Sequence, residues 1–252
     1  MRVLLTRDVK HNFLMRREIE TLFSHLSPSI FEAPLLEQVA IVHANDVLQK
    51  FMLNKRMDDV IFISPASVQF GFDKVNEFLR LPRMFAVGRG TANVLADKLK
   101  KAAKNTEVIF PQEQVGSQAL LALPELQKVE NSKILIVTGA QGKPLLENIL
   151  IERLAQVSSW ECYQRQKPSG LNQRIKGCLQ GGLDYVFLHS AHAARHFLEE
   201  LPQETQTQSV LAIVGANQIA QELLANGWSG KIQVAASPIP TDMLSKLQSV
   251  AL

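Results

Sequence analysis

Short apolar runs that do not alternate recur along this chain, and each gives way to a longer helical pattern. The clearest are RVLLT at 2–6, VIFI at 60–63, MFAV at 84–87, EVIF at 107–110, KILIV at 133–137, YVFL at 185–188, LAIV at 211–214 and IQVA at 232–235. A strand with one face in water carries a polar residue at every second position. These runs do not, so they predict parallel strands covered by helices on both faces. The class is α/β, with right-handed crossovers.

The second half echoes the first. Ser64 in VIFISPASVQFGF matches Ser190 in YVFLHSAHAARHF, and Gly88 in FAVGRGTANVLADKL matches Gly215 in AIVGANQIAQELLANG. Thr6 in RVLLTR matches Thr138 in KILIVTG, and Glu32 in FEAPLL matches Glu161 in WECYQR. The four pairs keep one order and lie about 130 residues apart, which predicts two α/β units of similar build and is far too long for a solenoid repeat.

Composition narrows the function classes. The net charge of +3 is mild, and no Lys/Arg run is dense enough for a nucleic-acid backbone, while acidic small molecules fit it well. Cys162 and Cys178 form no CxxC and no metal-ligand spacing, which predicts a reduced setting. The opening MRVLLTRDVK reaches Arg7 and Asp8 too early for a signal peptide, and no stretch is long and apolar enough to span a bilayer. A cytoplasmic protein without membrane contact is expected.

Phe85 to Leu99 brings a strand, a Gly88-Arg89-Gly90 turn and a helix into sequence, nearly a dinucleotide fingerprint. That fingerprint should follow the first strand, end on a third glycine and precede an acidic residue about 20 positions on. Here Asn93 stands at the third glycine, the strand is internal and Asp97 comes too early. The turn keeps another use: its glycines let the backbone bend and bare N–H groups at a helix start, where the dipole favours an anion. Ser64 before Pro65, Ser117, Ser190 and Thr241 each stand just before a helical pattern, and TGAQGKP at 138–144 is a further glycine turn. Each can be a plain helix cap. As a set they fall at the carboxyl ends of strands, where open α/β sheets bind ligands.

Motifs for hard chemistry are missing: there is no GxSxG, no Walker A and no HExxH. His192 and His196 share a helix face but lack the zinc-protease glutamate, and a surface or capping role suits them better than a metal site. Tyr163 in WECYQRQKP has two readings. It is a packed edge-strand aromatic, or a phenol placed to give a proton to a leaving group.

The order and spacing of LLTR, FEAPLLEQV, VIFISPASVQFGF, FAVGRGTANVL, VIFPQEQVGSQALLAL, KILIVTGAQGKPLLENILIERL, CYQRQKP, FLHSAHAARHFL and IVGANQIAQEL resemble the uroporphyrinogen-III synthase family of haem biosynthesis. The resemblance implies two flavodoxin-like or Rossmann-like parallel-sheet lobes joined by a two-stranded linker, with a ligand cleft between the lobes. Residues 1–35 with 167–252 would form a discontinuous lobe around an inserted lobe at 39–160, with linker strands at about 31–38 and 160–167. The implied activity is that of a cyclising hydro-lyase. Hydroxymethylbilane, a linear tetrapyrrole with carboxylate side chains, loses its hydroxyl, forms a spiro-pyrrolenine and closes with ring D inverted. No cofactor or metal is implied. A monomer is expected, with transient contact to the preceding pathway enzyme. A bilobal module that binds an anionic ligand without reaction is the alternative.

The resemblance implies carboxylate binding by Thr6, Arg7, Ser64, Ser67, Gly88, Arg89, Gly90, Thr91, Gly139, Ser190, Gly215 and Asn217, and it points to Tyr163 as a non-essential proton donor. The chain departs from the family pattern in three places. TGAQGK at 138–143 replaces an RGEGGR-type segment, Asn217-Gln218 replaces a threonine pair, and Ile63 stands where threonine often precedes the serine.

Overall fold

The computed structural model describes residues 1–41, 57–77, 82–140, 142–202 and 207–251. The chain divides into two compact units, Met1–Glu37 with Gln166–Leu252, and Gln38–Arg165. Gln141, within the expected glycine turn, lies outside the described residues, as does 42–56 of the second unit.

The first unit holds β1 (Arg2–Leu5), β2 (Ser29–Glu32), β9 (Tyr185–Leu188), β10 (Leu211–Val214) and β11 (Lys231–Val234) in the order β11-β10-β9-β1-β2. Every pairing between them is parallel. Counted along this unit alone, the order is the 2-1-3-4-5 of flavodoxin-like sheets, with its switch point between β1 and β9. Side chains alternate across the sheet. Leu4, Val186, Leu188, Ala212 and Val214 pack with Phe197 and Leu223 from the helices Ala191–Glu200 and Asn217–Ala225. Val3, Leu5, Phe187 and Ile213 face the other way, against Ile19 of the helix Val9–Leu22 and Leu247 of the helix Pro240–Ala251. Both faces are dry, which is why these strands show no alternation.

The second unit holds β3 (Glu37–Ala40), β4 (Asp59–Phe62), β5 (Arg83–Ala86), β6 (Val108–Ile109), β7 (Lys133–Gly139) and β8 (Gln156–Gln166), ordered β3-β8-β7-β4-β5-β6. From β4 to β8 the pairings are parallel. Counted from β4, this is 3-2-1-4-5, five strands of the doubly wound 3-2-1-4-5-6 order, with its switch point between β4 and β7. Val60, Phe62 and Val137 meet Phe72 and Leu95 of the helices Pro65–Val75 and Arg89–Lys101 on one face. Ile61, Phe85 and Ile136 meet Leu120 and Leu150 on the other. Gly71 lets its helix lie close to the sheet, because a Cβ there would stand 2.5 Å from Val137 Cγ1. At the amino edge the fully buried Asp59 is held by Arg83, with Nε–Oδ1 at 2.6 Å and Nη2–Oδ2 at 2.9 Å.

Most of the eight apolar runs are strands shifted by a residue or shortened; EVIF keeps strand geometry only at Val108–Ile109. β2, β3 and β8 lie outside those runs because their sequences, SIFE, EQVA and QVSSWECYQRQ, are polar and partly exposed. The stretch expected as a linker strand at 31–38 is two strands broken at 33–36. The reason is packing: Ala33 and Leu35 are fully buried in the first unit's core, where their N–H groups donate to Leu5 O and Thr6 O. The linker strand expected at 160–167 lies within β8 up to its end at Gln166, and β8 is a member of the second sheet.

Candidate functional site

In both units most of the expected residues lie at or just beyond the carboxyl ends of strands; Thr6, Arg7 and Ser190 flank the switch point of the first unit, and Ser64 and Gly139 that of the second. In the second unit β4 stops at Phe62, and the chain turns through Ile63 to Ser64, the N-cap of the helix Pro65–Val75. Ser64 Oγ accepts from Ser67 N–H, and Ser67 Oγ accepts from Ser64 N–H, both at 3.0 Å. This reciprocal capping box satisfies two donors and fixes where Ser64 points. Proline at the first helical position adds to it without wasting an N–H.

Ser64 Oγ also lies 3.1 Å from Tyr163 Oη. Tyr163 is only 6% exposed, stacks on Phe70 with ring centroids 5.7 Å apart, and lies directly beside Gly139, its partner in the β7–β8 register. A Cβ at Gly139 would stand 2.5 Å from Tyr163 Cζ, so glycine here makes room for the ring. The pair has a simple consequence in protons. Two hydroxyls joined by one hydrogen bond spend one O–H on each other and keep one. The remaining proton is on Ser64 if Tyr163 donates, and on Tyr163 if Ser64 donates. Burial and stacking match the packed-aromatic reading of Tyr163, and the hydroxyl that meets Ser64 is the group the phenol reading would use.

Gly88 caps the helix Arg89–Lys101 and supplies no side-chain bond, and its first turn has no acidic residue. The N–H groups opening such a helix have no intrahelical acceptor. Arg89 leans over the Phe110 ring at 5.9 Å, and its Nη2 reaches Gln112 Oε1 at 3.4 Å. Thr91 is buried in the helix base. The expected reason for the glycines is corrected here. Gly88 has φ 177°, extended backbone open to any residue, and a Cβ at Gly90 would meet nothing within 4 Å. Neither glycine is needed for a tight bend: a Cβ at Gly88 would press on Val115 Cγ1 at 3.2 Å, and one at Gly90 would enter open space.

The first unit uses the same edge differently. Thr6 is buried and its hydroxyl donates to Phe187 O, tying β1 to β9. Arg7 N–H donates to Asn12 Oδ1 at 3.0 Å, and Arg7 O accepts from Asn12 Nδ2 at 2.7 Å. Those backbone groups are committed to holding the turn. Ser190 caps Ala191–Glu200, accepting from Ala193 N–H at 3.1 Å. Gly215 is not the cap of the next helix. Ala216 is, without a side-chain bond, and Asn217 opens the helix exposed to solvent. Gly215 instead admits Pro238, whose Cα would stand 2.6 Å from a Cβ.

Two further expectations shift. Ser117 is the first residue of a helix capped by Gly116, and Thr241 lies inside Pro240–Ala251, so neither is an N-cap. His196 Nδ1 lies 2.9 Å from Leu35 O, a structural tie, and no cluster of metal-ligating side chains occurs among the described residues. His189, at the end of β9, carried no weight in the sequence. It is largely buried near Arg7 and His11 with a backbone hydrogen bond to Pro238. Its Nδ1 has no partner among the described residues, and burial above all holds its pKa down to about 4. Cys162, buried behind Thr138, has its thiol pushed up to about 12 by burial.

Parallel sheets whose strand ends and helix starts share one edge define an α/β protein of the kind that binds ligands at that edge. Comparison with known proteins narrows the class. The model of the family "Uroporphyrinogen-III synthase HemD" matches residues 17–244. The chain belongs to that family. It is 35% identical over 112 residues to the uroporphyrinogen-III synthase of Escherichia coli, covering 42% of this chain and 44% of that one. With the Salmonella typhimurium synthase it shares 34% over 136 residues, or 52% and 53% of the two chains. The matched region spans about half the length of these curated relatives. In fold the chain is similar to the uroporphyrinogen-III synthetase of Helicobacter pylori, with a TM-score of 0.58 at 14% identity over 99% of this chain and 100% of that one. A mutant synthase from Thermus thermophilus gives 0.52 at 16% identity over 99% and 98%.

Proposed function

We propose that this protein is a uroporphyrinogen-III synthase, closing hydroxymethylbilane with inversion of its last ring and loss of water. The observation that carries the reading is the family match across residues 17–244, supported by serine-capped and bare helix starts at the carboxyl edges. A linear tetrapyrrole rich in carboxylates needs many donors, and bare helix starts supply them as backbone N–H groups. In this reading Arg89, Gly90 and Thr91 present such donors in the second unit and Asn217 in the first, with Ser64 and Ser190 at the neighbouring caps.

The substrate cyclises unaided to the type I isomer, so the protein's task is to hold one geometry long enough for the other closure to win. The Ser64–Tyr163 pair adds one uncommitted hydroxyl proton close to a helix start. It can assist departure of the substrate hydroxyl, a gain of at most ~10²-fold for a group that ionises readily. Tyr163→Phe should therefore slow type III formation by ~10²-fold or less while changing affinity little. Titration with the cyclic type III product, followed by thermal unfolding, checks the binding half. Saturation at 100 times Kd should add about 2.7 kcal/mol of stability, and no stabilisation by that polycarboxylate would count against the reading.

A further inference from the structure

One pocket on the carboxyl edge of the second unit goes beyond its helix starts. It is a half-open pocket of about 300 Å³ at the switch point between β4 and β7. Its apolar walls are Ile63, Val87, Ile136 and Leu146, and its polar lining is Lys143, the two carboxylates Glu147 and Glu161, and the hydroxyls of Ser117, Thr138 and Ser159. A site of this size suits one substituted ring and is far too small for four linked together.

The polar groups say what kind of ring. Ser159 Oγ donates to Glu147 Oε2 at 2.8 Å, which pins the carboxylate to the wall. An ionised carboxylate only accepts, and one donor leaves it room for another. It repels a second carboxylate and favours an N–H. Lys143 has no ion pair among the described residues and offers the opposite preference. Aliphatic walls fit a flat, apolar body between the two.

We propose that this pocket takes a single pyrrole ring of the substrate, its N–H donating to Glu147 and an acidic substituent meeting Lys143. The proposal rests on the functional reading above for the identity of the ring. Ser159 is then a positioning residue, acting through Glu147.

The test uses a monopyrrole carrying acetate and propionate on adjacent ring carbons, and the furan of the same substitution, which lacks only the N–H donor. Methyl NMR signals of Ile63, Ile136 and Leu146 report binding to the intact protein. The pyrrole should bind about tenfold more tightly than the furan, the ordinary worth of one charge-assisted hydrogen bond. Glu147→Ala should remove that preference, and Ser159→Ala should shrink it. Lys143→Ala should weaken both ligands alike. Equal affinities in the unmodified protein, a preference that survives Glu147→Ala, shifts confined to other methyls, or no binding of either compound would each overturn the proposal. None of these readings depends on turnover. A protein that forms type III product yet shows no pyrrole preference refutes the pocket alone, and one with the preference but no synthase activity refutes the function alone.

Discussion

Gly139→Ala is the sharpest perturbation of the hydroxyl pair, because it adds one methyl group and removes nothing. The new Cβ would lie 2.5 Å from Tyr163 Cζ and within 2.9 Å of both Cε atoms, where ordinary contact begins near 3.4 Å. The ring must therefore retreat by about 0.9 Å, and it is already stacked on Phe70 and buried in the second unit's core. A retreat of that size should lengthen or break the 3.1 Å bond to Ser64. Overpacking of this kind costs about 1–3 kcal/mol, and the lost hydrogen bond about 1 kcal/mol more. The expected destabilisation is thus about 2–4 kcal/mol, read in urea as a lowered midpoint at unchanged slope. The internal control is Tyr163→Leu, which takes the ring away. In that background Gly139→Ala should cost under about 0.5 kcal/mol, since the two residues then no longer couple. A cost below that figure in the native background, or the same cost with and without the ring, would show that the ring is not what demands glycine.

Other residues give independent tests. Arg83→Met should destabilise by about 3 kcal/mol because it strands the buried Asp59 carboxylate, and Asp59→Leu added to it should recover part of the loss in the same urea assay. His189 stays neutral in the fold down to about pH 4, whereas the unfolded chain protonates near pH 6.5, so stability is lost as pH falls through that window. The loss should be about 2 kcal/mol between pH 7 and pH 5, and His189→Gln should flatten that slope in paired denaturation curves. With its thiol pushed up to about 12, Cys162 should resist iodoacetamide at pH 8 until the protein unfolds, as mass spectrometry of the alkylated peptide would show. Gly90→Ala should fold as well or gain up to about 1 kcal/mol, because the site is helical with open space for a methyl group. Any loss of substrate affinity in that variant then reports on the anion's approach to the backbone.

The strands were legible because burial on both faces removes alternation: Leu4, Val60, Ile61 and Phe187 sit in runs that only a covered sheet explains. β2 and β3 were harder to bound, since they are half solvated and lack an unbroken apolar run. Serine caps at Ser64 and Ser190 were visible from the residue before a helical pattern. The true caps Gly116 and Ala216 were not, because they bring no side-chain signal to the cap. The Ser64–Tyr163 contact joins residues 99 apart in sequence, and no local pattern carries such a distance. The same holds for Gly139 and Gly215, whose need for glycine comes from the close approach of Tyr163 and Pro238. Backbone freedom at Gly88 and Gly90 was the natural expectation for glycine, and their geometry does not require it.

The central claim is that this chain steers a closure that happens without it. Hydroxymethylbilane supplied to the protein, with the products oxidised and separated by isomer, tests it most directly. The account predicts type III as the dominant product, its share rising with protein concentration as catalysed closure outruns the spontaneous path. Type I alone, formed at the rate of the protein-free control, would contradict it.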